Sequence, residues 1–189
     1  MRLTGSCRAA ATAIVALGFA TAAEADGGIF DEGRLGVYEH DASVFGHQKE
    51  SGADIGVEVL FKPFNFLWEP RLAIGGLVNT DGETDQAYVG LTWTWDFVHG
   101  VFTSDDGLYA EATLGGGWNN GLINVTDPVL SQERKSLGSN VLFREDVDLG
   151  YRFNPVWSIA VSYNHISNAD LGVRNEGLND IGVRVGMKF

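Results

Sequence analysis

The sequence predicts an all-β protein, an eight-stranded antiparallel transmembrane β-barrel. Three observations carry that expectation. Period-two alternation of apolar and polar side chains recurs from residue 26 onward with hardly a helical period. The polar connections alternate in length, as external loops and periplasmic turns do. Trp93, Trp95, Trp118 and Trp157 fall on the apolar face near expected strand ends, where aromatic girdles belong.

The first 25 residues read as a signal peptide and 26–189 as the barrel domain. Arg2 and Arg8 form a basic start, Ala9–Ala20 (AAATAIVALGFA) an apolar stretch, and Ala23-Glu24-Ala25 a small-x-small cleavage site. The apolar stretch falls short of the ~20 residues that span a bilayer as a helix. Cys7, the only cysteine, precedes that stretch, whereas a lipoprotein cysteine follows it. The mature chain is therefore expected to carry neither a lipid anchor nor a disulfide.

Three weaker strand candidates lie near 34–45, 54–62 and 71–79. The pattern then sharpens. In Ala87–Phe97 (AYVGLTWTWDF), Val89, Leu91, Trp93 and Trp95 share one face. Leu108, Ala110, Ala112, Leu114 and Trp118 continue it in the next strand, followed by Val147, Leu149, Tyr151 and Phe153, set against Arg144, Asp146, Asp148 and Arg152. Trp157, Ile159, Val161 and Tyr163 form the seventh apolar series, and Ile181, Val183, Val185, Met187 and Phe189 the eighth. Gly46–Ala53, Asn79–Asp85 and Asn119–Ser139 read as external loops and Asn154-Pro155 as a tight turn; Lys62–Arg71 and Val98–Gly107 are long for periplasmic turns. The terminal Phe189, in phase with the apolar face, suits a bacterial outer-membrane protein.

The chain carries a formal charge of −12, and removing the leader makes it more negative. That argues against a nucleic-acid partner. Anionic lipid stays admissible because divalent ions bridge phosphates to carboxylates. The alternation also admits a soluble lipocalin-like binder with an apolar interior. A non-catalytic outer-membrane barrel with a structural or surface-interaction role is the other alternative. The four histidines show no ligand spacing, so no metal or cofactor is expected, and the acidic sets Asp81, Glu83, Asp85 and Asp105, Asp106 read as solvated loops.

One polar pair interrupts the apolar series. His165 and Ser167, in the stretch YNHISNADLGVRNEG, continue the odd-numbered set of the seventh strand and so project toward lipid. Trp157 to Ser167 rises roughly 25 Å along a tilted strand, the height of the apolar band. The pair thus falls beside the outer leaflet. A serine nucleophile needs a base, and the i, i+2 spacing places His165 within reach. Asn179 shares the parity of Ile181 and faces outward across the hairpin from His165. The alternative is that both residues merely open a polar loop.

HISNAD, Asn175-Glu176-Gly177 and the terminal GVRVGMKF resemble the C-terminal signature of the lipid A 3-O-deacylase family, the PagL-type outer-membrane esterases. The resemblance covers about the last thirty residues. It implies a barrel of the bacterial outer membrane that binds lipid A or lipopolysaccharide and hydrolyses its 3-O-linked acyl ester. By position it makes His165 the base and Ser167 the nucleophile. The family's acidic third member falls on Asn179, a departure: an amide accepts from the imidazole N–H but contributes no charge. Glu176 and Asp180 are the substitute acids to weigh, and the Asn168 amide with nearby backbone N–H groups the oxyanion donors. The oligomeric state stays open between monomer and homodimer.

Overall fold

The computed structural model describes residues 28–189, so the expected signal peptide lies outside the described residues. Eight antiparallel strands close on themselves, each paired with its neighbours in sequence and β1 with β8. They are β1 (Phe30–Glu39), β2 (Ala53–Phe61), β3 (Arg71–Asn79), β4 (Gln86–His99), β5 (Gly107–Asn119), β6 (Val141–Arg152), β7 (Trp157–Ser167) and β8 (Leu178–Lys188). Closure leaves no unpaired edge, which hydrocarbon demands of a sheet.

The first expected strand is displaced: β1 ends at Glu39 rather than near residue 45. Asp41 turns the chain with a left-handed φ of 50°. Its carboxylate accepts from the backbone N–H groups of Lys49 (2.7 Å) and Glu50 (3.1 Å), closing the first external loop on itself. At the other end of the sequence β8 starts earlier than its apolar series does, at Leu178, and so includes Asn179. The long 119–139 connection contains one helical turn, Leu130–Glu133.

The two faces of the wall have opposite chemistry. Outward positions carry Leu35, Val37, Ile74, Val89, Leu114, Val147, Leu149, Val161 and Val183, all exposed. Trp118 lies at the external end and Trp95 and Trp157 at the periplasmic end, also exposed. The inner face is ionic. Arg34 contacts Glu32 (2.7 Å) and Glu111 (2.6 Å), Arg71 reaches Glu32 (2.7 Å) and Glu111 (2.5 Å), and Arg184 pairs with Glu58 (3.2 Å) and Asp148. Arg144 bonds Asp146 (3.0 Å) and Asn164 (2.8 Å) and lies 3.9 Å over the Tyr88 ring. Buried charges persist only when paired, and these are. A soluble binder needs an apolar interior and a wet exterior; this wall has the reverse.

At the external rim, a buried cluster ties the loops to the barrel. His40 Nδ1 donates to Asp54 (2.9 Å) and Nε2 to Glu50 (3.1 Å), and Asp180 lies 3.6 Å from Nδ1. Glu50 also accepts from Arg134 (3.1 Å) and the Lys135 backbone (3.1 Å), so the first and third external loops share one carboxylate. Burial opposes charging His40, yet hydrogen bonds and charges of the surrounding carboxylates prevail, raising it from 6.5 to about 10. For Glu50, burial is likewise outweighed by the bond from His40 and its other donors, lowering it from 4.5 to about 2. The sign follows for each group. A raised histidine stabilises fully below its unfolded value and loses that contribution as pH climbs to the folded one; a depressed carboxylate does so in the acid direction. Protease resistance of the 40–52 and 119–139 loops should peak between about pH 4.5 and 6.5 and decline toward about pH 10 and about pH 2. Limited proteolysis of the folded barrel across pH checks this.

Candidate active site

Strand β7 carries His165 and Ser167 to its last rungs on the outer wall, both half-buried. They belong to the strand, not to the loop that follows. His165 stands directly opposite Asn179 on β8 and opposite Glu145 on β6, and Ser167 opposite Phe143. The side chains of one outward face thus converge from three neighbouring strands.

The closest contact is His165 Nδ1 to Asn179 Oδ1, 2.7 Å. Tyr163, one outward position below His165, donates its hydroxyl to the same oxygen at 2.7 Å. Two donors on one oxygen orient the amide: flipping it would leave the tyrosine proton without its acceptor and turn an N–H toward the imidazole. With Oδ1 as acceptor, Nδ1 holds the proton and Nε2 is left as the basic atom. Among the described residues Ser167 Oγ makes no hydrogen bond to His165; such contacts commonly tighten only when substrate binds.

Gly177 closes the site from the last loop. Its φ is 60°, and a Cβ there would stand 3.0 Å from His165 Cε1. Glycine therefore allows the loop to lie against the imidazole.

The other candidates are placed elsewhere. Asn168 is buried and donates through Nδ2 to the carbonyls of Leu137 (3.1 Å) and Arg174 (2.5 Å), while its backbone N–H bonds Asn175 (3.1 Å). Its amide hydrogens hold two loops together and are not directed at an ester, so the side-chain oxyanion assignment does not fit. Glu176 is occupied by Lys49 (2.5 Å) and the Ser136 N–H (2.5 Å). Asp180 points into the barrel, where it accepts from Gln86 (3.0 Å) and the Asp41 N–H (3.1 Å). Neither carboxylate contacts His165, so neither replaces the missing acid. Ligand-type atoms of His40, Asp54 and Asp180 lie within 4.8 Å of one another, a grouping the histidine spacing does not announce. The charged imidazole is itself the cation among those carboxylates.

The motif Asn175-Glu176-Gly177 is legible in the sequence but gives Gly177 no structural role, and Tyr163 and Glu145 are given no part in the site by sequence alone. Tyr163 was legible only as an apolar-face aromatic, although its position two residues before His165 put it within reach of Asn179. Glu145 was legible in principle, because its odd number gives it the parity of Val147 and Leu149.

The lipid A 3-O-deacylase (PagL) description matches residues 53–188, most of the chain and every one of these site residues. The chain belongs to the lipid A 3-O-deacylase (PagL) family. Among solved structures it resembles the outer membrane enzyme PagL, at 14% identity and a TM-score of 0.61, covering 82% of this chain and 99% of that one. The N-terminal β-barrel domain of Pseudomonas aeruginosa OprF matches at 14% identity and TM-score 0.50, covering 85% of this chain and 98% of that chain. Neisserial surface protein A matches at 14% identity and TM-score 0.50, covering 86% and 98%. At such identities these likenesses establish the fold, a closed eight-stranded outer-membrane barrel. No characterised protein matches by sequence comparison.

Proposed function

We propose that this protein is a serine esterase of the outer leaflet that removes the 3-O-linked acyl chain of lipid A. The observation that carries the reading is the Asn179–His165 hydrogen bond of 2.7 Å, on the outward face, with Ser167 on the next outward position of the same strand. The family match supplies the substrate class.

In this reading His165 Nε2 takes the proton from Ser167 Oγ as the oxygen attacks the ester carbonyl. The tetrahedral intermediate collapses, the C–O bond to the sugar breaks, and the leaving alkoxide receives the proton from His165. Water then attacks the acyl-serine with the same base, releasing the fatty acid and restoring Ser167. Asn179 holds the tautomer throughout. For the oxyanion, the backbone N–H groups of Ala169 and Asp170 are the candidates. Both residues follow the nucleophile closely and adopt left-handed φ values of 52° and 61°. Consecutive amides in such turns form anion-binding concavities.

The test is mass spectrometry of purified lipid A after incubation with detergent-folded protein and its Ser167→Ala variant. Loss of one 3-hydroxyacyl group with the native chain alone supports the esterase; no mass change with either favours a structural barrel. Within an active enzyme, Tyr163→Phe should slow turnover about 5-fold, because one of two hydrogen bonds orienting Asn179 is lost, each worth ~1 kcal/mol. Initial rates on lipid A measure it.

A further inference from the structure

Away from the strand ends, the outward positions of the described barrel wall hold one charged residue, Glu145. The rest of that face is apolar, small or aromatic apart from the site itself. A carboxylate there is costly, since lipid offers it neither water nor a counter-ion. It does not sit at the rim: Val141 and Phe143 precede it from the external end of β6, so it lies one outward position deeper than the Phe143–Ser167 rung. Its register partner on β7 is His165.

That placement coincides with a deficit in the site. Asn179 occupies one flank of the imidazole and can hold its proton but cannot balance a positive charge. Glu145 occupies the opposite flank, directly across the ladder, where paired residues stand about 4.5–5.5 Å apart at Cα. Other ionisable groups near the ring have other commitments. Glu176, beside Gly177, is bound to Lys49 and the Ser136 N–H, Asp180 points inward, and Tyr163 donates to Asn179.

We propose that Glu145 is a positioning residue for the proposed esterase, supplying from β6 the negative charge that stabilises the His165 imidazolium, while Asn179 on β8 fixes its tautomer. The work of one acidic triad member is thereby divided between two residues on either side of the base. The inference rests on the proposed Ser/His esterase reading. Glu145 touches neither ester nor nucleophile; it acts through His165 by Coulomb attraction, which strengthens where water is excluded.

The experiment uses the full barrel folded in detergent, with purified lipid A as substrate. Glu145→Gln preserves shape and removes charge. It should lower kcat by roughly 10- to 100-fold with little change in KM, as for a charge pair lost at a partly desolvated site. The acid limb of the pH–kcat profile should move to lower pH, because an imidazole without its carboxylate neighbour releases its proton more readily. Adding Asn179→Glu should restore rate and limb, since charge then arrives from the other flank; a merely structural glutamate would not be rescued so. Unchanged kcat and pH profile in Glu145→Gln, with the native chain active, would overturn the proposal and leave the esterase standing. If the native chain cleaves nothing, the esterase reading fails. The His165 titration followed by NMR in native and Glu145→Gln proteins still decides the electrostatic pairing: curves displaced from one another support it, and coincident curves refute it.

Discussion

In the proposed esterase, Ser167→Ala should leave a folded barrel that releases no acyl chain, with kcat reduced about 10⁴-fold or more. The size of the effect follows from the proposed mechanism: the substitution removes the oxygen assigned to attack the acyl carbon, and leaves His165 no hydroxyl to deprotonate. The fold is indifferent to it. Ser167 is the last residue of β7, half-exposed, and its pairing with Phe143 runs through the backbone. Heat-modifiable migration on gels should match the native protein, while mass spectrometry shows intact lipid A. An undiminished rate would move the nucleophile elsewhere.

Gly177→Val comes next in magnitude, with an expected loss of about 10²-fold in kcat/KM, since misplacing a reacting group by about 1 Å costs that much. Two penalties combine. A β-branched residue resists the φ of 60°, and its Cβ would press on His165 Cε1 from 3.0 Å. Either the loop withdraws or the ring rotates, and in both cases the bond to Asn179 lengthens. Rates on lipid A, with the His165 Nδ1 proton signal as a structural readout, separate this from unfolding; full activity would mean that the loop does not confine the imidazole.

These effects depend on features with unequal visibility in the sequence. The barrel was legible because an ionic interior and a lipid-facing exterior force strict alternation, plain in Asp146, Asp148 against Val147, Leu149. Phase alone placed His165, Ser167 and Asn179 on the same outward face, and β-geometry did the rest. The end of β1 was not legible, since the turn is made by Asp41 bonding two amides in a distant part of its loop. Asn168 has a related history: its neighbour in sequence is the proposed nucleophile, but its amide partners are the carbonyls of Leu137 and Arg174. Such commitments depend on how loops cross, which periodicity does not encode. Glu145 belongs to no motif, and only the ladder of β6 against β7 places it across from His165.

The charge ladder of Arg34, Arg71, Arg144 and Arg184 with its acidic partners has a physiological corollary. A lumen occupied by interlocked guanidinium and carboxylate groups should act as an insulator, and the folded barrel is expected to pass no ion current across a planar bilayer. On that expectation, copies of the barrel would accumulate in an envelope without making it leakier, and its abundance would not be limited as a porin's is by osmotic burden.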